Sequence, residues 1–275
     1  MKTRHFCLIL GAAVLGGCAT NEITGRSQLL VVPESLAISE SANAYAQQMG
    51  DLSKKKQIET GTARAAKVRE ITDRLIVQAV RFRPDSAKWN WEVQVINDPK
   101  TVNAFCMAGG KMAIYTGMWE KVHATDDEIA QVMGHEISHA LANHTQERMS
   151  VAMSSMAGLA MLDAFVAPRD RTGGLAMTGA AAAATLAITL PNSRESEAEA
   201  DQIGIELAAR AGYDPAAAVT LWDKMGKLGG QPPEWMSTHP SPEHRATRLK
   251  ELGGKLQPQY LSAKNTPPEA HHYLK

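Results

Sequence analysis

The sequence predicts an α+β fold that is mostly helical, with a small β-sheet beside one long helix. Apolar residues recur every three or four positions over 63–82, which is typical of an amphipathic helix. Two runs, 91–95 and 111–116, have strand-like patterns, and a capping box at 125–128 begins the long helix. The 275 residues, 44% hydrophobic and 21% charged, are enough for one main domain, which we expect over 34–255.

The chain begins with a predicted signal peptide at 1–17. Lys2 and Arg4 precede a twelve-residue apolar run, which is shorter than the roughly 20 residues of a bilayer-spanning helix. The run ends at Leu15-Gly16-Gly17-Cys18, which resembles a bacterial lipobox, so we expect Cys18 to carry lipids and anchor the protein to a membrane. An ordinary cleaved signal is the alternative. Ala19 is not the usual inner-membrane retention signal, which favours the outer membrane, facing the periplasm.

Charge and cysteine usage limit the roles of the chain. Basic and acidic residues number 29 each, and without Lys2 and Arg4 the balance is 27 against 29, a net charge of −2. This balance argues against a nucleic-acid partner. Cys7 leaves with the signal and Cys18 would be acylated, so no internal disulfide is expected. We expect Cys106 to be a small buried hydrophobe rather than a reactive thiol.

Between the lipid anchor and the first strand we expect a tether and two helices. Residues 18–33 lack clear periodicity and predict the tether, and helical sequence follows around 34–49. Lys54, Lys55 and Lys56 are expected on a solvated face. The amphipathic helix over 63–82 should end at Pro84.

Residues 149–190 and the end of the chain are unusual in composition. Two stretches, Met149–Val166 and Gly173–Leu190, contain one charge, Asp163, and are rich in alanine, glycine, serine and methionine. Each has 18 residues and is Ala-rich rather than Leu-rich, which favours mobile helices covering a cleft over a membrane hairpin. The proline-containing segment 256–275 is expected to be a flexible tail.

The predicted long helix, from residue 126 to about Arg148, carries His135-Glu136-Ile137-Ser138-His139. Residues four apart differ by about 40° around a helix and lie one turn apart, so both histidines can bind one metal ion. Glu136 lies about 100° from His135, where it can act as a base rather than a ligand. Burial of this helix is favoured by its apolar residues, which are Ile129, Val132, Met133, Ile137 and Leu141.

His144 is a candidate third ligand that the spacing argues against. It lies about 180° from His135 on a continuous helix, and the glycine of the related His-x-x-Gly-x-x-His pattern is replaced by Ala142. We therefore expect His144 to be structural.

The third ligand is instead expected from the segment 194–201, which offers three glutamates. Glu197 shares a helix face with small residues that let another helix approach, whereas Glu195 and Glu199 fall on the polar side. We therefore predict Glu197 as the ligand. Asp201, one turn further, is expected to orient an imidazole by a hydrogen bond, and a surface pair with an arginine is the alternative.

Four motifs occur in order along the chain: Val102-Asn103-Ala104-Phe105 with Gly109-Gly110, the His135–His139 pair, Glu197-Ala198-Glu199-Ala200-Asp201, and Thr238-His239-Pro240 with Arg245. Together they resemble the zinc metalloendopeptidase family that includes HtpX, the CAAX prenyl proteases and the periplasmic lipoprotein peptidases LoiP and BepA. The resemblance covers about Val31 to Leu252.

The resemblance implies a zincin-like metallopeptidase fold with the His-Glu-x-x-His helix beside the sheet and one Zn²⁺ per subunit. The implied ligands are His135, His139 and Glu197. The implied catalytic base is Glu136, and the strand of Asn103, Ala104 and Phe105 would lie along the substrate. His239 is expected near the metal, where it either stabilises the transition state or fills the fourth coordination position of a resting enzyme. Arg245 is expected close behind the ligands.

Two functions are kept as hypotheses. The first is a membrane-anchored zinc metalloendopeptidase of the bacterial cell envelope that cuts unfolded or misassembled envelope proteins for quality control. An extended peptide beside Phe105 would supply its own backbone hydrogen bonds, which selects for unfolded segments. The alternative is a periplasmic chaperone or assembly factor for outer-membrane proteins, with secondary or self-inhibited proteolysis. The outer-membrane assembly machinery is a further candidate partner.

Overall fold

A computed structural model of the chain describes residues 18–21, 23–166, 191–229, 233–239, 244–266 and 273–274, with side chains except at residues 18 and 157–166. The predicted signal peptide at 1–17 therefore lies outside the described residues. The side chain of Cys18 does as well, and its lipidation stays a prediction.

Helices make up most of the described chain, which confirms the predicted fold class. They are α1 (Glu34–Lys54), α2 (Ala63–Phe82), α3 (Gly117–Glu120), α4 (Asp126–Leu141), α5 (His144–Val166), α6 (Arg194–Arg210), α7 (Ala217–Gly226), α8 (Glu234–Thr238) and α9 (Arg245–Lys264), with a 3₁₀ turn at Pro84–Lys88. The strands are β1 (Cys18–Thr20), β2 (Ser27–Leu29), β3 (Ile58–Glu59), β4 (Glu92–Ile96), β5 (Ala104–Met107) and β6 (Lys111–Tyr115).

Four strands form a mixed sheet in the order β3-β4-β6-β5. Strands β4 and β6 are parallel, whereas β5 and β6 form an antiparallel hairpin in which Phe105 faces Ala113. The hairpin turn requires a glycine at Gly110, because its φ is +79° and a Cβ there would lie 2.3 Å from the buried ring of Trp91. In the described part of the chain β5 is an edge strand, and α4 packs against it.

Two helices that contact the sheet and each other, α2 and α4, begin where local chemistry predicts. Helix α2 begins after Thr62, whose hydroxyl accepts a hydrogen bond from the Ala65 amide, and it ends before Pro84 as predicted. Helix α4 begins with the predicted capping box, in which the side chains of Thr125 and Glu128 each accept a hydrogen bond from the other residue's backbone amide. These caps satisfy amides in the first turns of the helices that have no partner within the helix.

The predicted continuation of α4 to Arg148 is wrong. The helix ends at Leu141, and Asn143 adopts a left-handed conformation with φ of 58° before α5 begins. Asparagine tolerates this conformation better than most residues, and the guanidinium of Arg83 donates to its side-chain oxygen at 2.8 Å. The break turns His144 back towards the end of α4.

The segment at 18–33 is not the predicted tether. Strands β1 and β2 pair in an antiparallel hairpin, and the side chain of Gln28 donates to the Ala142 carbonyl at 2.8 Å. The Val32 amide donates to the hydroxyl of Ser150 at 3.1 Å. These hydrogen bonds dock the segment on the break between α4 and α5, which periodicity within the segment does not reveal.

The predicted flexible tail at 256–275 is wrong for its first nine residues. Helix α9 runs through Pro258 to Lys264, because Leu256 and Tyr260 are buried against α6 and α7. Of the unusual segment 149–190, residues 149–166 continue α5, whereas 167–190 lie outside the described residues. Among the described helices, none combines the length and apolarity needed to span a membrane.

Candidate active site

The site begins where α4 crosses α6 at two glycines. A Cβ on Gly204 would lie 2.7 Å from the His135 amide nitrogen, and one on Gly134 would lie 2.8 Å from the Gly204 carbonyl oxygen. Only glycine allows backbones to approach so closely, as the small-residue face of the second helix predicts. The crossing therefore brings the histidines of α4 to the carboxylate of Glu197 on α6.

The three predicted ligands meet at this crossing. The Nε2 atoms of His135 and His139 are 3.1 Å apart. Glu197 places Oε2 3.4 Å from His135 Nε2 and Oε1 3.4 Å from His139 Nε2. His239 joins them, since one ligand atom from each of the four buried residues lies within 4.8 Å of the others. The sequence thus located every member of this cluster.

The cluster fits a metal ion by its chemistry and by an unsatisfied atom. Glu197 is fully buried, and its Oε1 is one of the few buried side-chain atoms in the described residues that have no hydrogen-bond partner. A buried carboxylate oxygen without a donor is costly unless a cation faces it. Two imidazole nitrogens and one carboxylate oxygen are a donor set typical of catalytic zinc.

The electrostatics of the cluster favour a cation. Burial lowers the pKa of His135, but the charges of Glu197 and Asp201 outweigh it and raise the pKa to about 9. Burial also lowers the pKa of His139 well below its ordinary value. For Glu197, burial opposes ionisation, yet the two histidines hold its pKa far below the ordinary range. The ionised carboxylate of Glu197 in this buried site attracts positive charge.

Asp201 lies where the sequence places it. Its Oδ1 is 3.1 Å from His135 Nδ1, the ring nitrogen that faces away from the cluster. The guanidinium of Arg245 donates to Asp201 at 2.5 Å and to Glu197 at 3.2 Å, and it stacks over the ring of Trp222. Arg245 therefore holds both carboxylates in place from behind.

Glu199 has different surroundings from those that its helix face suggests. The sequence places it on a polar side of α6 with Gln202 and Glu206, but it is buried and accepts hydrogen bonds from Arg26 and Thr24. A helical wheel shows which residues share a face and not which segment covers that face. Here the β1–β2 hairpin covers it.

His144 is buried and lies outside the four-residue cluster, in agreement with the structural role expected for it. Its Nδ1 is 2.7 Å from His139 Nδ1, and its Nε2 is 3.0 Å from Glu199.

Glu136, the predicted base, is buried at the edge of the cluster. Its Oε1 accepts a hydrogen bond of 2.6 Å from the indole nitrogen of Trp235 and lies 3.4 Å from His239 Nε2. The sequence argument missed Trp235. The nearest signal was its position four residues before His239, and the two rings lie with their centroids 5.2 Å apart at the end of α8.

A cleft of about 290 Å³ opens beside the cluster. It runs along β5, and the half-buried side chain of Phe105 lines it, whereas Cys106 is buried and its burial raises the pKa of the thiol. The side chain of Asn103 donates to Glu234 at 3.1 Å, which ties the strand to α8. The cleft is lined by Gln48, Asn103, Ala104, Phe105, Cys106, Met107, Tyr115, Glu136, His139, Thr145, Arg148, Asn192, Glu234, Thr238 and His239.

Comparison with protein-family models gives a match to Peptidase family M48 over residues 62–253, more than half of the chain. The chain belongs to peptidase family M48. M48 peptidases are metal-dependent, in agreement with the His-His-Glu cluster. The predicted resemblance is confirmed at this level, and the narrower placement beside HtpX, the CAAX proteases and LoiP stays a prediction.

Three M48 relatives illustrate the similarity. The chain is 33% identical to human mitochondrial metalloendopeptidase OMA1 over 258 residues, which is 90% of this chain and 48% of the relative. It is 42% identical to mitochondrial OMA1 of Arabidopsis thaliana over 161 residues, 58% of this chain and 31% of the relative. It is 28% identical to the beta-barrel assembly-enhancing protease of Escherichia coli over 188 residues, 65% of this chain and 38% of the relative. The chain thus spans half or less of these proteins.

The predicted outer-membrane location is wrong. Relatives that match at 33–42% identity include mitochondrial OMA1 proteins of plants, animals and fungi, which are not outer-membrane lipoproteins. The location was deduced from the short segment around Cys18 alone, whereas the similarity to the mitochondrial relatives extends over most of the chain.

Proposed function

We propose that this chain is a zinc-dependent metalloendopeptidase that hydrolyses peptide bonds in unfolded or misassembled proteins. One observation carries the proposal. Three metal-ligating side chains meet at a buried crossing, and the carboxylate of Glu136 lies beside them at a cleft along an edge strand. This arrangement would bring a metal, a base and an extended peptide next to one another.

In this mechanism His135, His139 and Glu197 hold the zinc ion. Zinc bound there supplies Lewis acidity, which lowers the pKa of water and polarises a peptide carbonyl. Glu136 accepts the proton of the attacking water at its carboxylate and returns it to the leaving amine. The indole of Trp235 fixes one oxygen of that carboxylate, and His239 lies close enough to stabilise negative charge on the carbonyl oxygen.

The edge strand β5 supports a preference for unfolded substrates. An extended peptide could pair by main-chain hydrogen bonds with the edge that β5 forms among the described residues, beside Phe105. Such pairing requires a segment that has no secondary structure of its own, whereas it demands little of the side chains. We therefore propose quality control of damaged or misassembled proteins as the role of the cleavage.

A second function, binding and assisting other proteins with little cleavage, is favoured by one contact. His239 lies among the ligand atoms and 3.4 Å from Glu136, where it can fill the position that substrate needs. A chain held in this state would bind unfolded segments along β5 and cut them slowly.

The experiment is a set of three variants assayed with fluorogenic casein. Glu136→Gln is expected to keep one zinc per chain and to lose about 10²–10⁴-fold of the cleavage rate, because the base is removed and the ligands remain. Glu197→Ala is expected to lose both zinc and cleavage. Glu70→Gln, an exposed acid on α2, is the control and should match the wild type.

Three results would contradict the proposal. Wild-type cleavage by Glu136→Gln would remove the base assignment, and full zinc retention by Glu197→Ala would remove the ligand assignment. Absence of casein cleavage by the zinc-loaded wild type would favour the binding function instead.

A further inference from the structure

A hydrogen-bonded relay of buried side chains runs from His139 to the N-terminal hairpin. His139 Nδ1 lies 2.7 Å from His144 Nδ1, and His144 Nε2 lies 3.0 Å from Glu199 Oε2. All three residues are more than nine-tenths buried. This relay has one more residue than the contact behind His135, where the carboxylate of Asp201 contacts the imidazole ring directly.

The protons in this relay of side chains have one consistent arrangement. His139 Nε2 faces the cluster, 3.4 Å from Glu197, so its lone pair is the one available to a metal. Nδ1 of His139 then carries the proton and donates to Nδ1 of His144. His144 in turn carries its proton on Nε2 and donates to Glu199.

Glu199 is held in turn by the β1–β2 hairpin. Arg26 Nε donates to Glu199 Oε2 at 2.5 Å, and the hydroxyl of Thr24 donates to Oε1. The two terminal nitrogens of Arg26 donate to Glu147 at 2.8 and 2.6 Å. The guanidinium therefore bridges α5 and α6 and fixes the acceptor at the end of the relay.

We propose that His144, Glu199 and Arg26 are positioning residues for the metal ligand His139. The N-terminal hairpin is then part of the metal centre, although it lies ahead of residue 62, where the match to the M48 family begins. This inference rests on the ligand set of the proposed function, and it adds that a segment outside the matched peptidase region sets the orientation of one ligand.

The first experiment compares Glu199→Gln with Glu195→Gln. Both substitutions remove one negative charge from the first turns of α6, but Glu195 is exposed. The zinc dissociation constant is measured by competition with a chromophoric chelator. Glu199→Gln is expected to bind zinc about 10–100-fold more weakly, the usual effect of losing a partner of a ligand histidine, and Glu195→Gln to match the wild type. The absorption bands of the Co²⁺-loaded protein should shift in Glu199→Gln alone.

The second experiment tests the hairpin with Arg26→Gln and Glu147→Gln. Arg26→Gln is expected to weaken zinc binding about tenfold, because Glu199 loses a charged donor. Glu147→Gln weakens the other contact of the same guanidinium and leaves the one to Glu199, so its zinc affinity should stay within about twofold of the wild type. Unfolding temperatures of the metal-free variants show whether each protein is folded.

The outcomes separate this inference from the proposed function. Zinc affinity in Glu199→Gln equal to that of Glu195→Gln would overturn the inference, and so would equal losses in Arg26→Gln and Glu147→Gln, which would indicate a general effect of hairpin docking. If Glu199→Gln does not fold, the Arg26 pair decides. A wild-type chain that binds no zinc would instead refute the proposed function.

Discussion

The two faces of α4 differ in what holds them. The face towards α6 packs backbone against backbone at Gly134 and Gly204, with apolar side chains such as Ile137 fully buried around it. The face towards the cleft carries Glu136, which is held by a hydrogen bond from Trp235 and a close contact with His239. Close backbone packing thus places the three candidate metal ligands, whereas polar side-chain contacts place the predicted base. Substitutions on the two faces should therefore have separable effects.

The largest effect is expected on the packed face, with Gly204→Ala. A Cβ there meets the backbone of His135 at 2.7 Å, and backbone cannot rotate away as a side chain can. The free energy of unfolding should fall by about 1–3 kcal/mol or more, and zinc binding should weaken with it, because the helices separate and the ligands with them. Urea unfolding and chelator competition measure both effects.

Gly254→Ala provides the control for this substitution. Gly254 is an exposed position within α9 where a Cβ would meet nothing within 4 Å. Alanine is the better helix former by about 1 kcal/mol, so the variant should be as stable as the wild type or more so. Equal destabilisation by both substitutions would show that the close crossing does not set the position of the ligands.

A smaller effect, on turnover and not on metal binding, is expected on the cleft face with Trp235→Phe. The substitution keeps an aromatic ring against Trp222 but removes the donor to Glu136. Hydrogen bonds to charged groups contribute about 1.5–3 kcal/mol, so kcat should fall at least about tenfold while zinc content stays at one per chain. Trp222→Phe, at a ring with no hydrogen bond to Glu136, should keep kcat within about twofold. Loss of zinc in Trp235→Phe would erase the distinction between the faces.

The smallest effect concerns the start of α4 and depends on pH. Burial alone would raise the pKa of Glu128, but hydrogen bonds from Lys224, Thr125 and Thr220 outweigh it and lower the pKa below its ordinary value of 4.5. A carboxyl group with a lowered folded pKa stabilises the fold above its ordinary value, and the contribution is lost as pH falls below it. Glu128→Gln should therefore lower the free energy of unfolding by about 1 kcal/mol at pH 7, and the difference should shrink towards pH 3.

Thr125→Ala is the matched control, because it removes the other half of the capping box and the hydroxyl does not titrate. The free energy of unfolding of this variant should be lowered by a similar amount at every pH between 7 and 3. Urea unfolding of the metal-free chains measures it. A deficit in Glu128→Gln that does not change with pH would show that its charge does not contribute to capping α4.

Patterns of a few residues were enough for the bounds of α2, the start of α4 and the residues that meet in the His-His-Glu cluster. The spacing over 63–82 predicted α2 with its observed bounds, and the capping box predicted the first residue of α4. The small-residue face of α6 separated Glu197 from Glu195, because helix geometry fixes which residues share a face before any tertiary contact forms. These features depend on neighbours within one or two turns of the same helix.

The tertiary structure alone determines which residues contact His139 on the side away from the cluster. Glu199 was expected on the polar side of α6, and Arg26, 173 positions away, covers it and pairs with it. The hairpin that carries Arg26 and the break at Asn143 that turns His144 inward form through contacts with distant segments. Helical periodicity fixes the direction in which a side chain points from the helix axis. It does not determine which other segment of the chain packs on that side.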